Sequence, residues 1–191
     1  PAQGMRIAVV EGAAAAAVSL GWPDYSAPSG APYVAEEVSV KTPAGHALTG
    51  TLTMPTGAAG RVPAVVTITG SGAQDRDEFI PVAGGYRLFR QVADTLSRRG
   101  IAVLRLDDRG VGGSTGDASE QGFEGALEDV VTTASWLARH PAVDAERMAL
   151  LGHSEGGLLA AAAGARIAAW KVIMLGGPAV PFRSPTRPRN C

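Results

Sequence analysis

The stretch LLGHSEGG, residues 150–157, is the most informative about the fold, because it places Ser154 between Gly152 and Gly156 directly after an apolar run. Where a buried strand turns sharply into a helix through Gly-x-Ser-x-Gly, the serine backbone is strained and its hydroxyl stands at the carboxyl ends of the strands. Bulky residues two positions before or after the serine would clash, which explains the glycines. The motif predicts Ser154 as a nucleophile, and the alternative is a plain glycine-rich turn.

Backbone N–H donors for an oxyanion are expected from two places. The helix predicted after Ser154 begins with free N–H groups, including that of Glu155. The loop TGSGAQDRDE, residues 69–78, follows a buried strand, and the Ser71 N–H is the candidate second donor. A phosphate-binding loop is disfavoured, because the third glycine of a dinucleotide pattern would fall at Asp75. A purely structural turn stays an alternative.

A third motif, DDRGVGGSTGD at residues 107–117, follows the next buried strand. Its charged residues could act on substrate at the strand ends. Ion pairs or hydrogen bonds that hold the loop are favoured instead, because buried charges must be paired. Two pairs are plausible, Arg76 with Asp108 and Arg109 with Asp75.

The whole chain alternates short apolar runs with amphipathic stretches. Residues 34–42 and 48–55 alternate and flank a turn, which predicts a hairpin. Buried strands are predicted at 62–69, 101–106, 147–153 and 171–177, and helices at 84–99, 123–140 and 155–170. This order predicts an α/β fold: a mostly parallel sheet with an antiparallel edge hairpin and helices on both faces. The expected organisation is an extension or linker at 1–33, a core at 34–177 and an irregular tail at 178–191.

The composition argues against several classes of partner and site. The 191 residues carry a formal net charge of −1, which suggests neither a nucleic-acid partner nor an anionic membrane surface. The one cysteine excludes an internal disulfide and a cysteine-based metal site. No apolar run is long enough to span a bilayer. The run IAVVEGAAAAAV at residues 7–18 favours a short helix over a signal-peptide remnant, and the compartment, cytoplasmic or exported, stays open.

Together, GHSEGG, LDDRGVGGSTGD and GSGAQDRDE resemble the bacterial α/β-hydrolases close to dienelactone hydrolases and prolyl oligopeptidase-type esterases. The resemblance covers about residues 34–177. It implies hydrolysis of carboxylic esters, such as small acyl or aryl esters, through an acyl-serine and without a metal or cofactor. It maps the nucleophile onto Ser154 and the oxyanion donors onto the N–H groups of Ser71 and Glu155.

The rest of a catalytic triad is not evident in the chain. In this fold the acid and the histidine follow the serine in chain order, and the family pattern is expected to end near Pro178. The chain is interpreted as the amino-terminal part of an α/β-hydrolase, truncated before the triad acid and histidine. The alternative is a non-catalytic or assembly-dependent fragment, and the exposed edge of strand 171–177 predicts a possible homo-oligomer.

None of the three histidines is expected to act as the base. His153 precedes the serine and is predicted to be a satisfied core histidine beside the sheet. His140 is expected on the face opposite Ser154, and His46 at the edge, three or four strands away. Turnover by the chain alone is therefore predicted to be weak or absent.

Overall fold

The sheet has six strands, and the hairpin forms one of its edges. The computed structural model describes residues 23–80, 84–120, 122–167 and 170–177. Strands β1 (Tyr33–Lys41) and β2 (Ala47–Pro55) pair antiparallel. The chain turns between the two strands at Gly45, whose φ of 94° is a value that favours glycine. The predicted hairpin is confirmed.

Four parallel strands continue the sheet from the hairpin. They are β6 (Ala102–Leu106), β3 (Val62–Ile68), β7 (Val143–His153) and β8 (Lys171–Leu175). The strand order is β1-β2-β6-β3-β7-β8, with β2 antiparallel to β6 and the later pairs parallel. The predicted, mostly parallel sheet is confirmed. Its central strands are nearly continuous apolar runs because both faces are covered.

Helices cover both faces, as predicted. Helix α1 (Leu88–Ser97) packs through Phe89 on Val65 and Leu151. Helices α2 (Phe123–Ala138) and α3 (Glu155–Arg166) pack on the other face, where the neighbouring strand residues Val66 and Leu150 point. The central strands β3 and β7 therefore lie between two helical layers.

The first helix starts later than predicted. Residues 84–87 are not helical, because a short pair of strands, β4 (Phe79–Ile80) and β5 (Tyr86–Arg87), precedes α1. Gly84 and Gly85 both have positive φ, which an α-helix cannot accommodate. Strand β7 also starts earlier than predicted, at Val143, which pairs with Val62 before a register shift.

Parts of the predicted organisation lie outside the described residues. These are 1–22 of the predicted extension, including the alanine-rich run, and all of the predicted tail at 178–191. Residues 23–32 are described and lie against α1, where Arg90 donates to the carbonyl oxygen of Asp24 at 2.5 Å. Within the described ranges, no helix is both long and apolar enough to cross a bilayer.

Candidate active site

Ser154 occupies a strained turn between β7 and α3. Its φ of 52° and ψ of −118° lie in a region that non-glycine residues rarely adopt. A Cβ atom at Gly152 would lie 2.0 Å from the carbonyl oxygen of Gly156, and one at Gly156 would lie 2.3 Å from that of Ile68. Backbone atoms cannot yield to such contacts, so only glycine fits at both positions. The turn therefore has the geometry that the motif predicts, and Ser154 is half-buried.

The loop at residues 69–74 lies directly against this turn. A Cβ atom at Gly70 would lie 3.3 Å from the Cβ of Ser154. Carboxylates bind the loop on both sides of Ser71: the Gly70 N–H donates to Glu78 Oε1 at 3.0 Å, and the Gln74 N–H donates to Asp108 Oδ2 at 2.9 Å. Between them, the N–H of Ser71 donates no hydrogen bond within the described part of the chain.

The second candidate donor belongs to the residue after the serine. The N–H of Glu155 is the first of α3, and a first-turn N–H has no acceptor inside its own helix. The positive end of the helix dipole adds to the attraction for negative charge at this point. Glu155 directly follows Ser154, and Ser71 directly follows Gly70, which packs against Ser154; both candidate donors are exposed.

A cavity of about 230 Å³ opens beside this turn. The loop at 69–74 and the start of α3 form one wall, and α2 forms the opposite wall. Its apolar lining consists mainly of Ile68, Leu106, Phe123, Val130 and Leu159. Gly70 and Glu155, which adjoin Ser71 and Ser154 in the chain, line the cavity, whereas Ser71 and Ser154 themselves are not among its lining residues.

His153 is not the core histidine that the sequence predicted. Its side chain is 31% exposed, and its Nδ1 lies 2.7 Å from Oε1 of the buried Glu78. The imidazole does have a partner, as expected, but it stands at the rim of the sheet, where the strand ends and packing is incomplete. Sequence reasoning missed Glu78 altogether, although it ends the quoted loop at 69–78.

The charged residues after β6 are paired, but neither predicted pair forms. Arg76 binds Asp107 at 2.8 Å, instead of Asp108. Arg109 binds Asp129 at 2.9 Å, while the expected partner Asp75 binds Arg87 at 3.3 Å. The predictions were wrong because they ignored the direction of each side chain and the contribution of α2, which is distant in sequence.

Asp108 accepts hydrogen bonds from the loop at residues 69–74. Its carboxylate accepts a hydrogen bond from Thr69 Oγ1 at 2.8 Å as well as from the N–H of Gln74. Burial is the main cause that raises the pKa of Asp108 to about 6, although both hydrogen bonds favour the charged form. Asp108 also lies in the cavity wall. Its hydrogen bonds from Thr69 and Gln74 show that it holds the loop.

None of the three histidines bonds to Ser154. His46 is buried, with Nε2 at 2.9 Å from Asp129 Oδ1 and Nδ1 at 3.0 Å from Thr42 Oγ1. It lies in the turn directly before β2, which is three positions from β7 in the sheet, as expected. His140 precedes the amino end of β7, opposite the serine, and its Nδ1 accepts the N–H of Ala142.

This fold and this strained serine turn define an α/β-hydrolase. Residues 83–190 match the family described as "Serine aminopeptidase, S33", which is more than half of the chain. The chain belongs to this family of hydrolases. The match continues beyond Pro178, so the expectation that the family pattern ends there is wrong.

Relatives of known structure or activity agree with this assignment. The chain is 34% identical to "Esterase EstD" of Thermotoga maritima over 137 residues, which are 72% of this chain and 32% of that protein. A structure from Pseudomonas aeruginosa, hypothetical protein PA2218, has a TM-score of 0.67 at 21% identity and covers 92% of this chain and 49% of that chain. A putative dienelactone hydrolase from Klebsiella pneumoniae has a TM-score of 0.61 at 21% identity, with 80% and 63% covered. The chain spans about a third of the length of EstD.

Proposed function

We propose that this chain carries the nucleophile and the oxyanion donors of a serine-dependent carboxylic ester hydrolase. The observation that supports this most directly is the backbone of Ser154, strained at φ of 52° at the carboxyl end of β7. Such strain persists only where the surrounding structure enforces it, and it clusters at active sites. The likeness to an esterase that is 34% identical adds support for the ester class.

In the proposed reaction, Ser154 Oγ attacks the ester carbonyl carbon and gives up its proton to a base. The carbonyl oxygen becomes an oxyanion, which the N–H groups of Ser71 and Glu155 stabilise. Collapse of the intermediate breaks the ester C–O bond and releases the alcohol, which takes up a proton. Water then hydrolyses the acyl-serine to release the acid.

The cavity beside the serine turn supports a small acyl or aryl group as part of the substrate, because Glu155, the residue after Ser154, lines it, although Ser154 itself does not. Its volume of about 230 Å³ and its apolar wall suit a short or ring-shaped group better than a long chain. A series of p-nitrophenyl esters of increasing acyl length should show a falling rate beyond the short members.

The test compares wild type with Ser154→Ala. A fluorophosphonate probe should label the wild-type chain, and peptide mapping should place the label on Ser154. Labelling of Ser154→Ala at the wild-type rate would remove Ser154 from the proposed role. Because the family description names an aminopeptidase, aminoacyl p-nitroanilides should be run beside the esters, and faster anilide turnover would reassign the substrate to peptides.

A second candidate is a chain that does not turn over esters by itself. It is supported by the three histidines, which bond to Asp129, Ala142 and Glu78 and not to the serine. A serine without a base is a weak nucleophile. Under this alternative, the 191-residue chain binds the probe reversibly without covalent labelling, or reacts only after assembly with another polypeptide.

We also propose that a second copy can pair along β8. In the described sheet β8 ends the strand order, and Val172, Ile173 and Met174 are each 39–41% exposed. An apolar edge strand is prone to pair with another strand. Sizing with light scattering should show a dimer that Ile173→Lys converts to a monomer, and a monomeric wild type contradicts this proposal.

A further inference from the structure

Glu78 is held in an unfavourable backbone conformation beside the site. Its φ is 51°, in the left-handed region, although it is not glycine. Asp75 maintains the turn, because its carbonyl oxygen accepts the Glu78 N–H at 2.9 Å and its Oδ1 accepts the N–H of Asp77 and of Phe79. A non-glycine residue here stores strain that glycine would avoid.

The side chain of Glu78 adds a second cost. The residue is 1% exposed, and its Oε2 has no hydrogen-bond partner among the described residues. A buried carboxylate oxygen without a donor is unfavourable, because the water it loses is not replaced. Backbone strain and incomplete hydrogen bonding together indicate that stability does not explain Glu78.

The other carboxylate oxygen joins two parts of the proposed site. Oε1 accepts the Gly70 N–H at 3.0 Å and lies 2.7 Å from His153 Nδ1. Gly70 immediately precedes Ser71, and His153 immediately precedes Ser154. One oxygen atom therefore bridges the backbone segment of an oxyanion donor and the backbone segment of the nucleophile.

The packing leaves little freedom in this bridge. A Cβ atom at Gly70 would lie 3.0 Å from Glu78 Oε1 and 3.3 Å from the Cβ of Ser154. Gly70, Glu78 and Ser154 therefore pack closely, and a side chain at Gly70 would have to displace Glu78 or Ser154 by a few tenths of an ångström. If Oε1 were removed, the Gly70 N–H would lose its acceptor, and the segment between Thr69 and Gln74, which Asp108 holds at both ends, would lose its contact with the turn.

We propose that Glu78 and His153 are positioning residues, which set the distance between Ser154 Oγ and the oxyanion donor of Ser71. This inference rests on the proposed function. A carboxylate oxygen can only accept hydrogen bonds, so the proposal requires the tautomer in which His153 Nδ1 carries the proton and donates it to Glu78 Oε1. Because oxyanion stabilisation requires donors placed within about 0.5 Å, loss of the bridge lowers the rate of attack on the serine far more than the binding of the ester.

The decisive variant is Glu78→Gly, compared with Glu36→Gly. Glycine accepts φ of 51° without strain, but it also removes a buried side chain and leaves the Gly70 N–H without its acceptor, so the melting temperature of Glu78→Gly serves only to confirm that the variant is folded. Its maximal rate of fluorophosphonate labelling should fall at least about tenfold, with the probe concentration at half-maximal rate within about threefold of wild type. Glu36 is an exposed residue of β1, so Glu36→Gly should lower the melting temperature and leave the labelling rate unchanged.

Variants of His153 test the second half of the bridge. The side-chain amide of His153→Asn can still donate to Oε1, so its labelling rate should stay within about threefold of wild type. His153→Ala has no donor, and its rate should fall as in Glu78→Gly. The labelled fraction at long times reports folded protein, which separates a slower reaction from partial unfolding.

Two outcomes overturn the inference. They are a folded Glu78→Gly chain that labels at the wild-type rate, and equal rates for His153→Asn and His153→Ala. Failure of the proposed function is distinguishable, because it appears in the wild-type chain as absence of labelling that depends on Ser154. In that case the inference fails together with the function on which it rests.

Discussion

Two clusters of buried charge lie side by side at the carboxyl ends of β3 and β6. The arginine-paired cluster consists of Arg76, Arg105, Asp77 and Asp107, and the elbow cluster of Glu78, Asp108 and His153. Adjacent residues divide between them: Asp77 and Asp107 bind arginines, whereas Glu78 and Asp108 bind the loop at residues 69–74. In the first cluster, cations balance the carboxylates. In the second, neutral N–H and hydroxyl donors and an imidazole do so, as the positioning role proposed above for Glu78 and His153 requires.

The comparison predicts its largest effect in the arginine-paired cluster. Asp107→Ala should lower the free energy of unfolding by about 3–5 kcal/mol, because it leaves the buried Arg76 without its buried partner. Urea unfolding measures this. Glu37 binds the same guanidinium, but its side chain is 60% exposed, so Glu37→Ala should cost less than about 1 kcal/mol. Equal losses for the two variants contradict the assignment of Asp107 as the anchor.

A second prediction concerns the backbone of the elbow itself. Gly152→Ala should lower the free energy of unfolding by about 1–3 kcal/mol and displace Ser154, because the added Cβ meets the carbonyl oxygen of Gly156. Chemical denaturation and fluorophosphonate labelling should both report the loss. Gly60→Ala is the matched control, since nothing lies within 4 Å of its added Cβ. A fully labelled and stable Gly152→Ala chain is incompatible with the turn described here.

The third prediction uses the pH dependence of Asp108. Its pKa, raised to about 6, means that the folded state holds the proton more tightly than the unfolded state does. The resulting stability is present at low pH and is lost as pH rises through about 6. Asp108→Asn lacks this dependence. Between about pH 4 and 7, wild type should therefore lose about 1–2 kcal/mol of unfolding free energy that Asp108→Asn does not lose. This is less than the whole pKa shift would give, because Asp108 is partly exposed.

A matched control for that titration is Asp144→Asn. Asp144 is only partly exposed, with 29% of its side chain accessible, and its hydrogen bonds from Arg147 and from the Glu146 N–H lower its pKa. Its carboxylate stabilises the fold at higher pH, so the difference between this variant and wild type should change in the opposite direction. The same direction in both variants counts against the role of burial at Asp108.

The smallest predicted effect tests strain at the nucleophile. Ser154→Gly should raise the free energy of unfolding by about 1 kcal/mol relative to Ser154→Ala, because alanine keeps a Cβ at φ of 52° and glycine does not. Both variants lack the hydroxyl, so the difference in their free energies of unfolding, measured by calorimetry, reports the cost of the backbone conformation at residue 154. If the alanine variant is the more stable of the two, the serine backbone stores no strain.

Most of the fold was predictable because its signals are local. The four parallel strands and helices α2 and α3 follow from apolar periodicity, which each segment carries in its own residues. The hairpin β4–β5 was missed because two-residue strands have no period, and α1 was consequently started too early. The strained turn at Ser154 was also predictable, because glycines at fixed spacing and a flanking strand and helix all lie within a dozen residues.

Local patterns in the chain were enough to predict the α/β architecture, the position of the serine turn and the loops that surround it. The pairing of the charges, the place of His153 at the sheet rim and the bridge from Glu78 to Gly70 and His153 depend on the folded arrangement. These contacts join residues that are distant in sequence. Their partners depend on strand order and on the direction of each side chain, and periodicity within a segment carries neither.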